Sequence, residues 1–286
     1  MIHERRRVAA LMLPPALWLV LLFLAPMVIM AAYSFRAGTF EPERSIFTIE
    51  QYQKFLAHTA YHRLLLQSIL VAFVVSMLCI VLAYPIAYFL AFRAGSLQYT
   101  LLTILIVPAW ISYLLRILAW KVILGSSGLL NSFLISAGLI REGSPILLYS
   151  RDAVIVALVY VWIPFAALPI YSALQRIDRR LLEAAADLGC APWEAFFRVT
   201  LPLSVPGLVA GFFFVFIPTV GEWVTPTLVG GVSGTMYGNI IQDLFVRAND
   251  WPLGAVMSLV MLALVLVQIA VFVRLSPRGL PDLAGA

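Results

Sequence analysis

Charge is scarce in this sequence. Only 12% of its 286 residues are Asp, Glu, Lys or Arg, about half the ~25% of an ordinary soluble chain. With 63% hydrophobic residues and a mean hydropathy of +0.99, the chain cannot cover a water-facing surface, and the bilayer is its expected solvent. Lysine is almost missing. Lys54 and Lys121 follow Gln53 and Trp120, so no Gly-Lys-Ser/Thr phosphate loop exists and ATP hydrolysis is excluded from this chain. Cysteine is limited to Cys79, in an apolar run, and Cys190, in a polar one, which excludes a disulfide framework. His58 and His62 are four residues apart but lack the glutamate of a zinc-protease signature. No metal, cofactor or nucleophile–His–Asp set is expected, and the chain is not read as an enzyme. The net charge of +5 is not gathered into a basic stripe with interleaved aromatics, which argues against nucleic acid as a partner. Strand-type alternation, internal repeats and low-complexity tracts are absent too, leaving one domain over 1–286.

What is present is a set of six apolar runs, near 8–33, 64–92, 98–120, 152–175, 204–225 and 254–274. Each is long enough to cross a hydrocarbon core of about 30 Å at roughly 1.5 Å per residue. Backbone amides in lipid must be paired within the segment, so these are helices. Prolines 14, 15, 26, 85, 108, 164 and 169 fall in or near them and remove amide donors there. The first run is too long for a signal-peptide core and is read as a retained helix. Arg5-Arg6-Arg7 beside it place the N-terminus in the cytoplasm. Six spans then return the C-terminus to the same side, with Arg93, Arg176, Arg179, Arg180, Arg198, Arg274 and Arg278 on cytoplasmic segments. Among the outer loops, Thr48-Ile-Glu-Gln51 carries a capping-box pattern that starts a short helix, and 236–246 reads as a surface-lying helix.

The most informative stretch interrupts spans four and five. Asp178 is placed to cap a helix that Gly189 ends in a left-handed conformation. Pro192 suits the first turn of a second helix, whose positive end Glu194 complements. Two short helices joined at a glycine make a lever, with Ala184, Ala185 and Ala186 permitting close approach of a partner and Leu181, Leu182, Leu188, Phe196 and Phe197 as anchors.

This stretch resembles the EAA motif of ABC importer permeases. Glu183-Ala184-Ala185 is followed by Gly189, then Val199, Leu201 and Pro202, with Val199 in place of the usual isoleucine. The resemblance implies an all-α type I ABC importer permease fold of six transmembrane helices. Its core would cover about 64–274, with 8–33 as an additional N-terminal span. The loop would be a coupling helix docked on a cytoplasmic ABC ATPase dimer through Glu183, Ala184, Ala185, Gly189, Leu201 and Pro202. It further implies a second homologous permease subunit, a periplasmic solute-binding protein, and a bacterial inner-membrane location. Tyr84-Pro-Ile-Ala-Tyr88, Ile106-Val-Pro-Ala-Trp110, Gly221-Glu-Trp-Val224, Gly230-Gly231 and Asn249-Asp-Trp-Pro-Leu-Gly254 look like the spermidine/putrescine branch, nearest its putrescine type. That implies a polyamine cargo. Related branches carry ferric iron, sulfate or opine-like solutes. A channel-like facilitator would have no use for the lever, and a receptor would append a signalling domain.

Two charges fall inside expected spans, Arg116 in the third and Glu222 in the fifth. A lone charge in a span costs about 2.5–3.5 kcal/mol, so each must face the bundle interior, water or a partner. On one reading Glu222 offers a carboxylate to a cationic solute, with Trp223 or Trp110 supplying an aromatic face. On the other, Glu222 pairs with Arg116 and ties spans three and five together. Asp243 and Asp250, in the last outer loop, either funnel a cation or are simply solvated. Trp18, Trp110, Trp120, Trp162 and Trp251 also suit interface anchoring.

Overall fold

The structure, a computed structural model, describes residues 2–40, 47–140 and 148–275, with side chains from 11 to 270 within those ranges. The side chains of Arg5, Arg6, Arg7 and Arg274, and all of Arg278, therefore lie outside the described residues. The chain is helical; the β pairing among the described residues is one isolated bridge, Arg36 to Phe47. Among the described residues twelve α-helices run in order: α1 (Ile2–Ser34), α2 (Glu50–Ala57), α3 (Thr59–Phe92), α4 (Gln98–Ile106), α5 (Tyr113–Leu124), α6 (Leu129–Ser136), α7 (Arg151–Gln175), α8 (Arg179–Asp187), α9 (Pro192–Ala195), α10 (Leu201–Val220), α11 (Tyr237–Val246) and α12 (Trp251–Leu275).

Among the described residues six segments are long and apolar enough to cross a membrane: Leu11–Ser34, Thr59–Phe92, Tyr113–Ser136, Arg151–Gln175, Pro192–Val220 and Trp251–Ala270. Four match the expected runs closely. The third does not. The run expected over 98–120 is split, because a 3₁₀ turn at Val107–Trp110, built around Pro108, ends in extended backbone at Ile111. A new helix starts at Tyr113, and the crossing segment shifts toward the C-terminus. The fifth differs at both ends. It begins at Pro192, so the second helix of the lever continues into the span, and it stops at Val220. Glu222 therefore lies just outside a helix rather than within one.

The chain forms two compact units, one built around Arg63–Asn239 and a smaller one from Met1–His62 with Ile240–Val273. In the larger, α3 presents Val71, Val75, Cys79, Ala83, Ala87 and Leu90 on one face at helical spacing to a common core with α7. Helix α7 is its centre, with 56% of its apolar window buried against 33% for α3. Helices α7 and α10 approach closely because Gly207 and Gly211 supply no side chain. A Cβ at Gly207 would stand 2.5 Å from the Ala173 Cβ and 2.7 Å from the Pro169 oxygen. That small-xxx-small spacing is how membrane helices gain packing contact without a hydrophobic drive from water. Tyr84 and Ser204 share a buried hydrogen bond of 3.0 Å between α3 and α10. Gln67 Nε2 donates to the Ser233 and Thr235 oxygens at 3.2 and 3.1 Å, and Ser68 Oγ accepts from the Tyr237 amide at 2.7 Å, pinning the loop before α11.

In the smaller unit the expected helix after Thr48 is present, but the capping box is not made. Thr48 Oγ1 accepts instead from the Glu50 amide at 3.2 Å, and Glu50 pairs with Lys54. Thr39 Oγ1 donates to the Asn249 oxygen and accepts from the Trp251 amide, at 2.6 and 3.0 Å. The Trp251 ring packs on Tyr33, Phe40 and Phe245. The apolar window of α1 is not buried at all.

Candidate functional site

The lever between α7 and α10 is built from local chemistry. Asp178 is extended and its Oδ1 accepts from the Arg180 amide at 2.9 Å, capping α8. At the far end Gly189 adopts φ +83°. The Gly189 and Cys190 amides reach back to the Ala186 and Ala185 oxygens, at 2.9 and 3.0 Å, closing the helix. Glu194 Oε2 accepts from the Ala191 amide at 3.2 Å, holding the start of α9 behind Pro192. Between α9 and α10 the helix widens to a π turn over Phe196–Thr200, with the Leu201 amide bonded to the Phe196 oxygen. Pro202 has no amide to give, and a local change of register is how a helix absorbs such a residue.

The expected lever residues divide by face. Glu183, Ala184 and Gly189 are exposed, while Ala185 is buried under α8 and Leu201 packs against the core. Pro202 is exposed. Leu181, Leu188, Trp193 and Phe197 form an apolar exposed set, Leu188 at 86%. Phe196, expected as an outward anchor, turns inward and meets the Tyr84 and Tyr88 rings edge-on at 5.7 and 5.9 Å. It joins the lever to α3.

The second site lies where α10 ends. Past Gly221 the chain breaks, and the half-buried Glu222 Oε1 accepts from the amides of Trp223, Val224 and Thr225 at 3.1, 2.8 and 3.2 Å. A π turn at Pro226–Gly230 follows. These amides are orphan donors at a helix start, and the carboxylate is favourable there. Glu222 Oε2 accepts from the Tyr113 hydroxyl at 2.7 Å. That proton spent, the 2.6 Å contact between Tyr113 and Thr225 hydroxyls has Thr225 as donor. Asn239 Nδ2 donates to the Trp223 oxygen at 2.9 Å and to Thr227 Oγ1 at 2.8 Å, and its Oδ1 accepts from the Met236 amide. At Gly238 a Cβ would lie 2.7 Å from the oxygens of both Gly221 and Glu222, so the break is closely backed.

Arg116 and Glu222 do not form the expected pair; no ion pair within 4.0 Å joins them among the described residues. Arg116 is 8% exposed, its Nε has no hydrogen-bond acceptor among the described residues, and its Cζ sits over the Tyr113 ring at 5.9 Å from the centroid. Trp223 borders Glu222 in sequence and is 43% exposed, whereas Trp110 ends its 3₁₀ turn at 85% exposure. Asp243 lies on α11 in the smaller unit and pairs with Arg247 at 3.3 Å. Sequence reasoning passed over Tyr113, Thr225 and Asn239. Tyr113 carried a usable signal, standing one helical turn before Arg116 on the same face. No cluster of metal-ligating side chains occurs among the described residues.

Comparison with known proteins agrees with this architecture. Residues 83–279 match the family described as binding-protein-dependent transport system inner membrane component. The spermidine/putrescine transport system permease protein PotB of Escherichia coli is 36% identical over 263 residues, covering 91% of this chain and 94% of that one. PotB of Haemophilus influenzae is 36% identical over 260 residues, 90% of each chain. A chain in the crystal structure of a bacterial alginate ABC transporter, complexed with an alginate-bound periplasmic protein, superposes with a TM-score of 0.73 over 95% of this chain and 93% of its own. At 17% identity that likeness concerns the fold.

Proposed function

The chain belongs to the binding-protein-dependent inner membrane components, the permease subunits of ABC importers, and from that premise we propose that its cargo is a polyamine of the putrescine–spermidine type. The observation that carries the reading is the Glu222 carboxylate, held at the end of a membrane-spanning helix by the Tyr113 hydroxyl and the Trp223 amide. A polyamine presents protonated amines spaced by methylenes. A carboxylate in low dielectric attracts the amine, and aromatic faces serve both amine and methylene. The relation to PotB supports the same class.

Both termini face the cytoplasm in this reading, and 1–286 acts as one permease domain. The exposed face of α8, with Glu183, Ala184 and Gly189, docks on a cytoplasmic ATPase. Ala185, Leu201 and Pro202 keep the lever in shape. A second homologous permease completes the path, and a periplasmic solute-binding protein delivers the solute. Of the other expected pathway residues, Trp110 and Asp243 guide the cation toward entry, and Arg116 sets the field around Glu222. A carboxylate-bearing solute such as an opine is the second reading, favoured by the buried Arg116, whose Nε has no hydrogen-bond partner among the described residues.

Uptake of labelled putrescine and spermidine by the reconstituted complex, with ferric iron and an opine as competitors, tests the assignment. Polyamine uptake is expected, and Glu222→Gln is expected to lower kcat/KM about tenfold, a loss of ~1.4 kcal/mol. Transport of the opine without either polyamine would replace the first reading with the second.

A further inference from the structure

Glu222 and Arg116 are the two ionisable side chains that meet around one ring. The Tyr113 hydroxyl lies 2.7 Å from Glu222 Oε2, and the Arg116 Cζ stands over the same ring at 5.9 Å. Opposite charges attract more strongly where water is partly excluded, and an arginine stem is long enough to change rotamer toward a carboxylate. The ring blocks that collapse in three ways. It gives the two charges separate points of attachment, its face to the Arg116 Cζ and its hydroxyl to Glu222. Its hydroxyl is fixed from the far side by Glu222 and Thr225, so it does not swing away. Its face also gives the guanidinium a cation–π partner, which compensates Arg116 without using up the acid.

The carboxylate meanwhile keeps capacity. Oε1 is occupied by three amides, but Oε2 accepts one bond among the described residues, leaving capacity for a second. We propose that Tyr113 is a positioning residue that keeps Arg116 from pairing with Glu222, so that the carboxylate remains available to a substrate ammonium. The inference rests on the polyamine reading above and names what keeps available the carboxylate that reading needs. An aliphatic residue at 113 lacks the hydroxyl tether and the aromatic face, and Arg116 then closes on Glu222 as an ion pair that competes with substrate.

The experiment is uptake of labelled putrescine by the reconstituted importer, comparing wild type, Tyr113→Leu, Tyr113→Phe, and each combined with Arg116→Gln. Tyr113→Leu raises KM about tenfold, equivalent to ~1.4 kcal/mol of lost binding. Tyr113→Phe keeps the ring but loses the tether, and raises KM about threefold, or ~0.65 kcal/mol by the same conversion. In both backgrounds Arg116→Gln returns KM toward wild type, because the competing cation is gone. A merely structural tyrosine would not be rescued by removing a charge one turn away. The conservative Phe variant carries the test if the Leu variant fails to assemble. An unchanged KM in the Tyr113 variants, or a rise that Arg116→Gln does not reverse, overturns the inference while leaving polyamine transport intact. A wild-type complex that takes up neither polyamine overturns the reading itself, and this inference with it.

Discussion

Gly189 stands at φ +83° with no atom within 4 Å of where a Cβ would be. Space is therefore not what requires glycine; the backbone is. An L residue in the left-handed region costs about 1–2 kcal/mol, and here that cost falls on the turn that sets the angle between α8 and α9. Gly189→Ala is expected to weaken ATPase binding about fivefold, or ~1 kcal/mol by the strain just given, with Gly189→Asn less affected. Titrating the ATPase subunit against membranes bearing each variant measures this. Glu222 makes the complementary point about single residues. Its charge stands out in so apolar a sequence, but its partners do not. Three backbone amides and a tyrosine 109 positions away hold it, and neither charge count nor hydropathy registers a backbone amide. The Arg116 pairing was a sound expectation from charge alone. It is not made; each charge instead contacts Tyr113, Arg116 at the ring face and Glu222 at the hydroxyl.

At the scale of elements, helix α7 meets α10 through Gly207 and Gly211, where even a methyl group would overlap the Ala173 Cβ, the Pro169 oxygen or the Ala166 oxygen. Gly207→Val must therefore push the two helices apart. Overpacking of this kind costs about 1–3 kcal/mol, and a lower melting temperature of the detergent-solubilised protein is the expected outcome. Gly211→Ala, whose Cβ meets the Ala166 oxygen at 3.0 Å, is expected to be milder. Six spans were legible in the sequence because the bilayer imposes both length and apolarity on them. The helix at 237–246 was legible from its mix of apolar and polar positions and the two ends of α8 from Asp178 and Gly189, whereas the helix at 50–57 was expected from a capping box that is not made. The third and fifth boundaries were not. Hydropathy averages over Pro108 and gives no sign that the chain becomes extended at Ile111. It also places a boundary where polarity changes, although the helix from Pro192 runs on through its π turn into α10. Backbone continuity and polarity are separate properties, and only the second is visible in a window average.

For the whole molecule, the coupling account requires the lever to face the compartment that holds the ATPase. The two cysteines provide a label for this. Cys79 is buried in the core, and Cys190, half-buried, lies just after Gly189. A membrane-impermeant maleimide is expected to modify Cys190 in inverted vesicles and not in intact spheroplasts. Bound ATPase should slow the reaction, and Cys190→Ser should abolish it. Labelling from outside the cell would reverse the assigned orientation.

The most direct measurement of the central claim is ATP-dependent polyamine uptake by the reconstituted complex, recorded together with ATP hydrolysis, for wild type and Glu183→Arg. Glu183 is exposed on α8 and far in sequence from Glu222. The account predicts uptake driven by ATP in the wild type and its loss in Glu183→Arg, with ATPase co-purification weakened and helical content unchanged. Uptake that continues without ATP, or that survives Glu183→Arg with the ATPase still bound, would contradict it.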